Sequence, residues 1–467
     1  MAETDSRGLS GPQPAKVDLV VRGGVVVTCD PTDRVLWPGD VAVTGGAIVA
    51  VGPDLDVDAE RVVDAGGDAV LPGFVNAHMH ECMERGVFED LPFMTWLQDY
   101  ALPKDCAYEP RHQRAAALLC QAEMIRNGTT TFIDIFRHPQ EAAQVAVESG
   151  LRATISPQVI DDPVEGPGET LATNEEFVDS WLGRHPRVRP WFGPHSLYTV
   201  RESTYVRMRE LADRHHVGIH THLAESAAES ALVAERTGGL TPTAYLDQLV
   251  GLGRDVVAAH CVHLDDDDVA LIAESGMGVA HCPTSNMKMG NGAARLADLL
   301  AAGATVGLGT DSVMTNNDLD AFEEMRQAGL LAKLVAGDPT VLPSRQLLSL
   351  ATRGSAAVLG LADQVGSIEV GKRADLIVVD LDQPRAWPLL REGGANVVEQ
   401  LVWAGSGADV RFTICDGRVL LDERRLTTLD LAEIGDLVDA EARHLLAAAG
   451  VLDAVLGRHE PDNEETP

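Results

Sequence analysis

The stretch that decides the fold is Leu71-Pro-Gly-Phe-Val-Asn-Ala-His-Met-His80, an apolar run that ends in two histidines separated by one residue. Side chains two positions apart in a β-strand point to the same side, so His78 and His80 should lie together at a strand's C-terminal end. Two imidazoles so placed are half of a metal site. We therefore expect the remaining ligands at the ends of further strands.

The middle of the chain, residues 71–365, alternates between short apolar runs and helical stretches. With the opening run there are eight strand candidates, the number found in a (β/α)8 TIM-like barrel. The eight candidates begin at Leu71, Thr131, Arg152, Val188, Val217, Val256, Gly278 and Thr305. The fold class predicted for this region is therefore α/β.

Two segments rich in β-branched residues and glycine turns flank the barrel, and they are expected to pair into one small β-sandwich domain. An Asp416-Gly417 pair between apolar runs predicts a hairpin in the second segment. The predicted organisation is a disordered lead-in (1–16), the N-terminal half of the β-sandwich (17–70), the barrel (71–365), the C-terminal half of the β-sandwich (366–425), a C-terminal helix (426–456) and a polar tail (457–467).

Composition narrows the possible partners and the compartment. The chain has 467 residues, with 37 basic and 71 acidic side chains and a net charge of −34. Such acidity argues against a nucleic-acid partner, whose phosphates would need neutralising. No run approaches the roughly 18 apolar residues of a membrane helix, and residues 1–15 lack the features of a signal peptide. The seven scattered cysteines contain no Cys-x-x-Cys and indicate reduced thiols, so we expect a cytoplasmic protein.

Polar residues recur where the predicted strands end, which is where barrel active sites lie. After His78 and His80, His222 ends the fifth strand, His260 the sixth, and Asp311 follows the eighth. Three or four histidines with one aspartate suit zinc, or a similar divalent ion such as iron. A single such histidine is more often structural, and an Asp after Gly-Thr is often a helix cap. Their joint recurrence in barrel order favours a metal site.

The fifth strand offers two histidines, His220 and His222, that should face the same way. We favour His222 as the ligand because Glu225, three residues further on, would reach over the same site. His220 then belongs to the layer below. His263 and His281 are interpreted as structural residues or as supports of the site.

Taken together, these residues resemble the amidohydrolase superfamily over nearly the whole chain, and within it the branch of S-adenosylhomocysteine/methylthioadenosine deaminases and triazine hydrolases. The resemblance implies that His78, His80, His222 and Asp311 bind the metal, with His260 near the bound water. The matching segments are His78-Met-His80, Arg85–Leu91 with Trp96-Leu97, Gly193–Ser196, His222–Glu225, Ala259–Leu264, Pro283–Gly292, Gly309–Asp311 with Asn316-Asn317, and Gly371–Leu376.

The lysine distribution favours one metal ion rather than two. Relatives with two metals usually bridge them with a carboxylated lysine at the end of the fourth strand. Between Lys104 and Lys288 this chain contains no lysine, so that bridge cannot form. The His-x-Glu and Pro-Cys-x-x-Cys signature of cytidine-type deaminases is also absent from the sequence.

The resemblance further implies an aminohydrolase acting on the C–N bond of a cyclic amidine. The metal would lower the pKa of water from about 15.7 to nearer 7 for attack on a ring carbon. Glu225 would protonate the adjacent ring nitrogen, and His260 would steady the developing charge. Asp311 would carry a proton from the water to departing ammonia.

The resemblance also supplies candidate substrate contacts. His195 and Asp105 would bind the ribose hydroxyls, although Asp105 stands where relatives have a longer Glu, and Trp96 would pack on the purine. Arginines that hold a homocysteine carboxylate in relatives are missing from Ser156–Gln158 and Pro167–Thr170. We therefore expect methylthioadenosine, 5′-deoxyadenosine, adenosine or a related nucleoside rather than adenosylhomocysteine.

Two expectations concern the substrate class and the assembly. The alternative substrate class is a triazine or a guanine-type base, handled by an aminohydrolase or chlorohydrolase with the same one-metal chemistry. Family analogy predicts a homo-oligomer whose partner is a small-molecule substrate.

Overall fold

The computed structural model describes residues 16–91, 95–162 and 168–457, except for the side chains of residues 96–98 and 102. Strands from both ends of the chain share one nine-stranded sheet. They are β1 (Lys16–Val27), β2 (Val35–Thr44), β3 (Ala47–Gly52), β4 (Asp58–Asp64), β5 (Ala69–Pro72), β16 (Leu376–Val379), β17 (Val410–Cys415), β18 (Arg418–Asp422) and β19 (Arg425–Leu426). Their order in the sheet is β19-β18-β17-β16-β5-β1-β2-β3, and β4 pairs with β1. The two halves meet where β16 runs antiparallel to β5.

The predicted hairpin joins β17 to β18. Asp416 and Gly417 form its turn with φ angles of 54° and 76°, the left-handed pair that a tight two-residue hairpin requires. Valine and isoleucine side chains from both halves of the sheet fill a common core, including Val21, Ile48 and Ile414.

The remaining strands are parallel and lie in two sheets, ordered β10-β8-β7-β6-β15, with β9 beside β8, and β11-β12-β13-β14. Their bounds are β6 (Phe74–His80), β7 (Thr129–Phe136), β8 (Arg152–Val159), β9 (Val188–Pro190), β10 (Gly193–Pro194), β11 (Ile219–Leu223), β12 (Val256–His260), β13 (Gly278–His281), β14 (Thr305–Leu308) and β15 (Asp311–Ser312). These strands are almost entirely buried, and helices pack against them, among others against β8 and β14, as parallel sheets require.

Most of the α-helices lie between successive parallel strands, and the others lie in the C-terminal part of the chain. They are α1 (Leu102–Cys106), α2 (Pro110–Arg126), α3 (Pro139–Ser149), α4 (Leu171–Trp181), α5 (Glu202–His215), α6 (Ala227–Thr237), α7 (Pro242–Val250), α8 (Asp266–Ser275), α9 (Pro283–Lys288), α10 (Leu296–Ala301), α11 (Ala321–Ala336), α12 (Ser344–Ser349), α13 (Ser355–Val358), α14 (Val397–Ala404), α15 (Leu431–Ala448) and α16 (Leu452–Gly457). Short π-helical turns span Trp96–Ala101 and Leu350–Gly354, and 3₁₀ turns span Pro384–Ala386, Glu392–Gly394 and Gly407–Asp409. Within the described ranges, no helix combines the length and apolarity needed to cross a membrane.

The opening run, predicted as one strand, is divided between two sheets. Leu71 and Pro72 belong to β5, and Phe74 begins β6. Gly73 connects the two strands. A Cβ at this position would lie 2.3 Å from the Thr130 side chain, and the N–H of Gly73 donates to the Asp375 carbonyl at 2.9 Å. A residue with a side chain could not approach so closely, so the glycine fixes where the histidine-bearing strand starts.

Candidate metal centre and active site

His80 and His222 face each other across the C-terminal ends of β6 and β11. The Nδ1–H of His80 donates to the Ile135 carbonyl at 2.5 Å, and the Nδ1–H of His222 donates to the His195 carbonyl at 2.7 Å. Each neutral ring therefore carries its proton on Nδ1 and has a bare lone pair on Nε2. The two Nε2 atoms are only 3.1 Å apart, and two lone pairs at that distance need a cation near both.

Protonation of His80 or His222 does not supply this positive charge. Burial lowers the pKa of His80, and burial together with the neighbouring histidines lowers the pKa of His222 well below its usual value. Both rings are therefore neutral near pH 7, and a metal ion is the cation that this geometry fits.

His78 adds a third nitrogen from the same strand end. Its ring is fully buried, and burial lowers its pKa to about 4. Nδ1 lies 2.9 Å from His220 Nε2, whereas Nε2 has no hydrogen-bond partner among the described residues. The imidazoles of His78, His80 and His222 lie close enough together for their donor atoms to share one ion.

Asp311 places a carboxylate oxygen beside these nitrogens. Its Oδ1 is 3.3 Å from His80 Nε2 and 3.6 Å from His78 Nε2, while Oδ2 accepts hydrogen bonds from Ser285 Oγ at 2.5 Å and Thr315 Oγ1 at 3.0 Å. Burial alone would raise the pKa of Asp311, but the surrounding histidines hold it well below its usual range. Three imidazole nitrogens and one carboxylate oxygen are a donor set that suits zinc or iron(II).

His260 and Glu225 stand beside this cluster. The Nδ1–H of His260 donates to Asn286 Oδ1 at 2.9 Å, and its Nε2 lies 3.9 Å from Glu225 Oε2. Burial would lower the pKa of His260, but the carboxylates of Glu225 and Asp311 outweigh that effect and raise it. A charged or strongly polarised imidazole and a half-buried carboxylate thus face the space next to the predicted metal ligands.

The other histidines near the strand ends are not part of this cluster of predicted ligands. His220 lies behind the cluster, on His78. The Nε2–H of His263 donates to the Asn291 carbonyl at 2.9 Å. His281 is buried at the end of β13, and burial lowers its pKa to about 4.

The three predicted substrate contacts differ in their surroundings. His195 follows β10, with Nδ1 2.7 Å from Thr199 Oγ1, and its ring centre is 4.7 Å from that of His222. Asp105 lies in α1, where its Oδ2 accepts from Arg137 at 2.8 Å and its Oδ1 is 3.0 Å from Lys104 Nζ. The side chain of Trp96 lies outside the described residues.

Arg137 is a residue that the sequence interpretation missed. It follows β7, its side chain is almost fully buried, and it pairs with Asp105 close to Gly168. Burial would raise the pKa of Asp105, but Arg137 and Lys104 together lower it. The available signal was an arginine directly after a buried strand. Glu169, in the segment where the expected arginines are missing, accepts the backbone N–H of His138 at 2.9 Å.

Comparison with known proteins places this arrangement in a family of hydrolases that act on C–N bonds. The amidohydrolase family matches residues 69–420, and the chain belongs to that family. A 5-methylthioadenosine/S-adenosylhomocysteine deaminase of Syntrophobacter fumaroxidans is 39% identical over 438 residues, which cover 92% of this chain and 98% of the relative. A 5′-deoxyadenosine deaminase of Methanosarcina acetivorans is 36% identical over 436 residues, 92% of this chain and 99% of the relative.

A solved structure supports the same placement. The crystal structure of an adenosine deaminase from Xanthomonas campestris with bound zinc superposes with a TM-score of 0.88 at 36% identity, covering 93% of this chain and all of that one. The chain therefore has the mixed α/β fold of amidohydrolase structures, and the predicted superfamily is confirmed.

Proposed function

We propose that this chain is a metal-dependent hydrolytic deaminase that removes the amino group of an adenine-type nucleoside and releases ammonia. The observation that carries the proposal is the pair of bare Nε2 atoms of His80 and His222 beside the carboxylate of Asp311. The names of the relatives support the substrate class, because they include a 5-methylthioadenosine/S-adenosylhomocysteine deaminase, a 5′-deoxyadenosine deaminase and an adenosine deaminase.

The ion that we propose is Zn²⁺, with Fe²⁺ as the alternative. His78, His80 and His222 would hold it through Nε2, and Asp311 through Oδ1. When bound, it would supply Lewis acidity, which lowers the pKa of water from about 15.7 to about 7.

The protein side chains then divide the proton transfers. Glu225, in its protonated form, gives a proton to the ring nitrogen next to the amino-bearing carbon, which makes that carbon electrophilic, and it recovers a proton from the added hydroxyl as ammonia leaves. His260, through its Nε2–H, stabilises the negative charge that develops as water adds. Asp311 takes a proton from the attacking water and passes it to the departing ammonia.

The proposed substrate contacts rest on the family resemblance. We assign His195 and Asp105 to the ribose hydroxyls and Trp96 to the purine. A carboxylate oxygen offers two acceptor sites, so Asp105 can accept hydroxyls while it pairs with Arg137. Because Arg137 is already matched by Asp105, a neutral 5′ tail fits this site better than the carboxylate of adenosylhomocysteine.

The proposal is tested by ammonia release from metal-loaded protein on nucleosides, free bases and triazines, with Glu225→Gln as the companion variant. We expect release from adenine nucleosides and, for Glu225→Gln, unchanged metal content with turnover lower by about a hundredfold or more. Release only from bases or triazines would move the assignment to the alternative class. Activity that chelation and re-addition of zinc or iron never change would refute the metal chemistry.

We further propose that the two parallel sheets close into one (β/α)8 barrel. A parallel bridge between Phe192 and Ile219 joins them on one side, and on the other the chain passes from β14, paired with β13, to β15, paired with β6. The nine-stranded sheet is proposed to fold over as a sandwich, since Ile48 and Val419, near opposite ends of its strand order, share one core. Homo-oligomer formation and a cytoplasmic location stay predictions.

A further inference from the structure

The segment Pro283–Gly292 stood out in the sequence but contributes no predicted ligand. It forms α9 and the turn after it, and two of its asparagines reach the two groups that act on the substrate. Asn286 Oδ1 accepts from His260 at 2.9 Å, and Asn291 Nδ2 donates to Glu225 Oε1 at 2.9 Å. The backbone N–H of Asn291 donates to the Asn286 carbonyl at 2.9 Å, so both side chains are carried by one closed turn.

The turn is also fixed from outside. The Nε2–H of His263 donates to the Asn291 carbonyl at 2.9 Å. Because a carbonyl only accepts, this bond fixes both the backbone position of Asn291 and the proton of His263. His263, interpreted from the sequence as a support of the site, thus acts through Asn291.

The backbone of Glu225 is held independently by a second carboxylate. Glu229 is buried in the first turn of α6, and its two oxygens accept the N–H groups of Ala224 at 3.2 Å and Glu225 at 2.8 Å. Ala224 has a φ of 50°, so the chain turns sharply before Glu225. With the backbone fixed in this way, the remaining freedom of Glu225 is the rotation of its side chain, and the Asn291 amide restrains that rotation.

We propose that Asn291 is a positioning residue that selects which carboxyl oxygen of Glu225 exchanges protons with the substrate. The Asn291 NH₂ group is only a donor, so the oxygen it contacts, Oε1, is engaged as an acceptor. That leaves Oε2, which lies 3.9 Å from His260 Nε2, as the oxygen turned toward the reacting ring. This inference rests on the proposed function, because it assigns Asn291 to the proton transfer of that reaction.

The test compares ammonia release by Asn291→Ala with that by Asn317→Ala at equal metal content. Asn317 is a matched control, since its side chain ties the same group of loops together through Lys288 and Glu89. We expect kcat of Asn291→Ala to fall about tenfold to a hundredfold, the effect of losing one hydrogen bond to a charged group. KM should change less than about threefold, because the substrate-binding contacts stay, and Asn317→Ala should stay within about twofold of the parent. An unchanged kcat in Asn291→Ala, or an equal loss in both variants, would overturn the inference.

A double-mutant cycle separates positioning from general structural support. If Asn291 acts through the Glu225 carboxylate, Asn291→Ala should lower kcat by less than about threefold in the Glu225→Gln background, since coupled residues are not additive. The full loss in that background would overturn the inference while leaving the proposed function intact. A fully active Glu225→Gln enzyme would instead refute the proposed proton donor itself, so the two failures are distinguishable.

Discussion

Replacing His220 tests how the predicted ligand His78 is oriented. His78 Nδ1 lies 2.9 Å from His220 Nε2, and both rings are fully buried. If His78 binds the ion through Nε2, its proton is on Nδ1 and His220 accepts it. In His220→Ala that N–H is left buried without its acceptor, which costs about 1–3 kcal/mol. At 1.4 kcal/mol per tenfold change, zinc affinity should fall roughly five- to a hundredfold.

The assay is competition for zinc between the protein and a chelator of known affinity. His281→Ala is the matched control: it removes another buried strand-end histidine, one with no hydrogen bond to a predicted ligand among the described contacts. His220→Gln, whose amide oxygen can accept from His78, should recover part of the affinity. Zinc binding within twofold of the parent in His220→Ala, or an equal loss in His281→Ala, would refute the reasoning.

Two further predictions concern stability. Arg137→Met removes one of the two cations that pair with the partly buried Asp105, and because Arg137 itself is buried, the free energy of unfolding should fall by about 3 kcal/mol. Arg85→Met, at a more exposed pair, should cost under about 1 kcal/mol, and equal shifts of the urea midpoint would contradict this difference. Burial raises the pKa of Glu324 from 4.5 to about 8, so the folded state keeps a proton that the unfolded state releases, and stability falls as pH rises across that window. Glu324→Gln should remove this slope, worth up to about 4 kcal/mol between pH 5 and pH 8.5, and an unchanged slope in urea unfolding would contradict it.

The strand pattern was predictable because side-chain direction in a strand is a local property. The structure has a parallel strand at each of the eight predicted positions, and the spacing of His78 and His80 placed two imidazoles on one face. His220 and His222 do share a face, but what separates them is the partner of each ring, a carbonyl for one and another histidine for the other. Such partners lie far away in the chain, so spacing does not reveal them.

The supporting residues were unpredictable for the same physical reason. Arg137 and Asp105 are 32 positions apart, and Asn291 and Glu225 are 66 apart. A hydrogen bond between such residues depends on how several loops pack above the strand ends, which a periodic pattern does not encode. The position of the predicted ligands follows from the strands, whereas the orientation of each group follows from the loops.

Ring protonation also decides which histidine clusters can bind metal, and it leads to a last prediction. His112, Glu441 and His444 lie as close together as the predicted ligands do. However, His112 Nδ1 accepts the backbone N–H of Glu109 at 2.9 Å, so its proton is on Nε2, the atom that faces the cluster. That is the reverse of His80 and His222, whose Nδ1 atoms donate. We therefore expect one zinc per chain by elemental analysis, unchanged in His444→Ala, and a second equivalent lost in that variant would show that the ring-protonation argument is wrong.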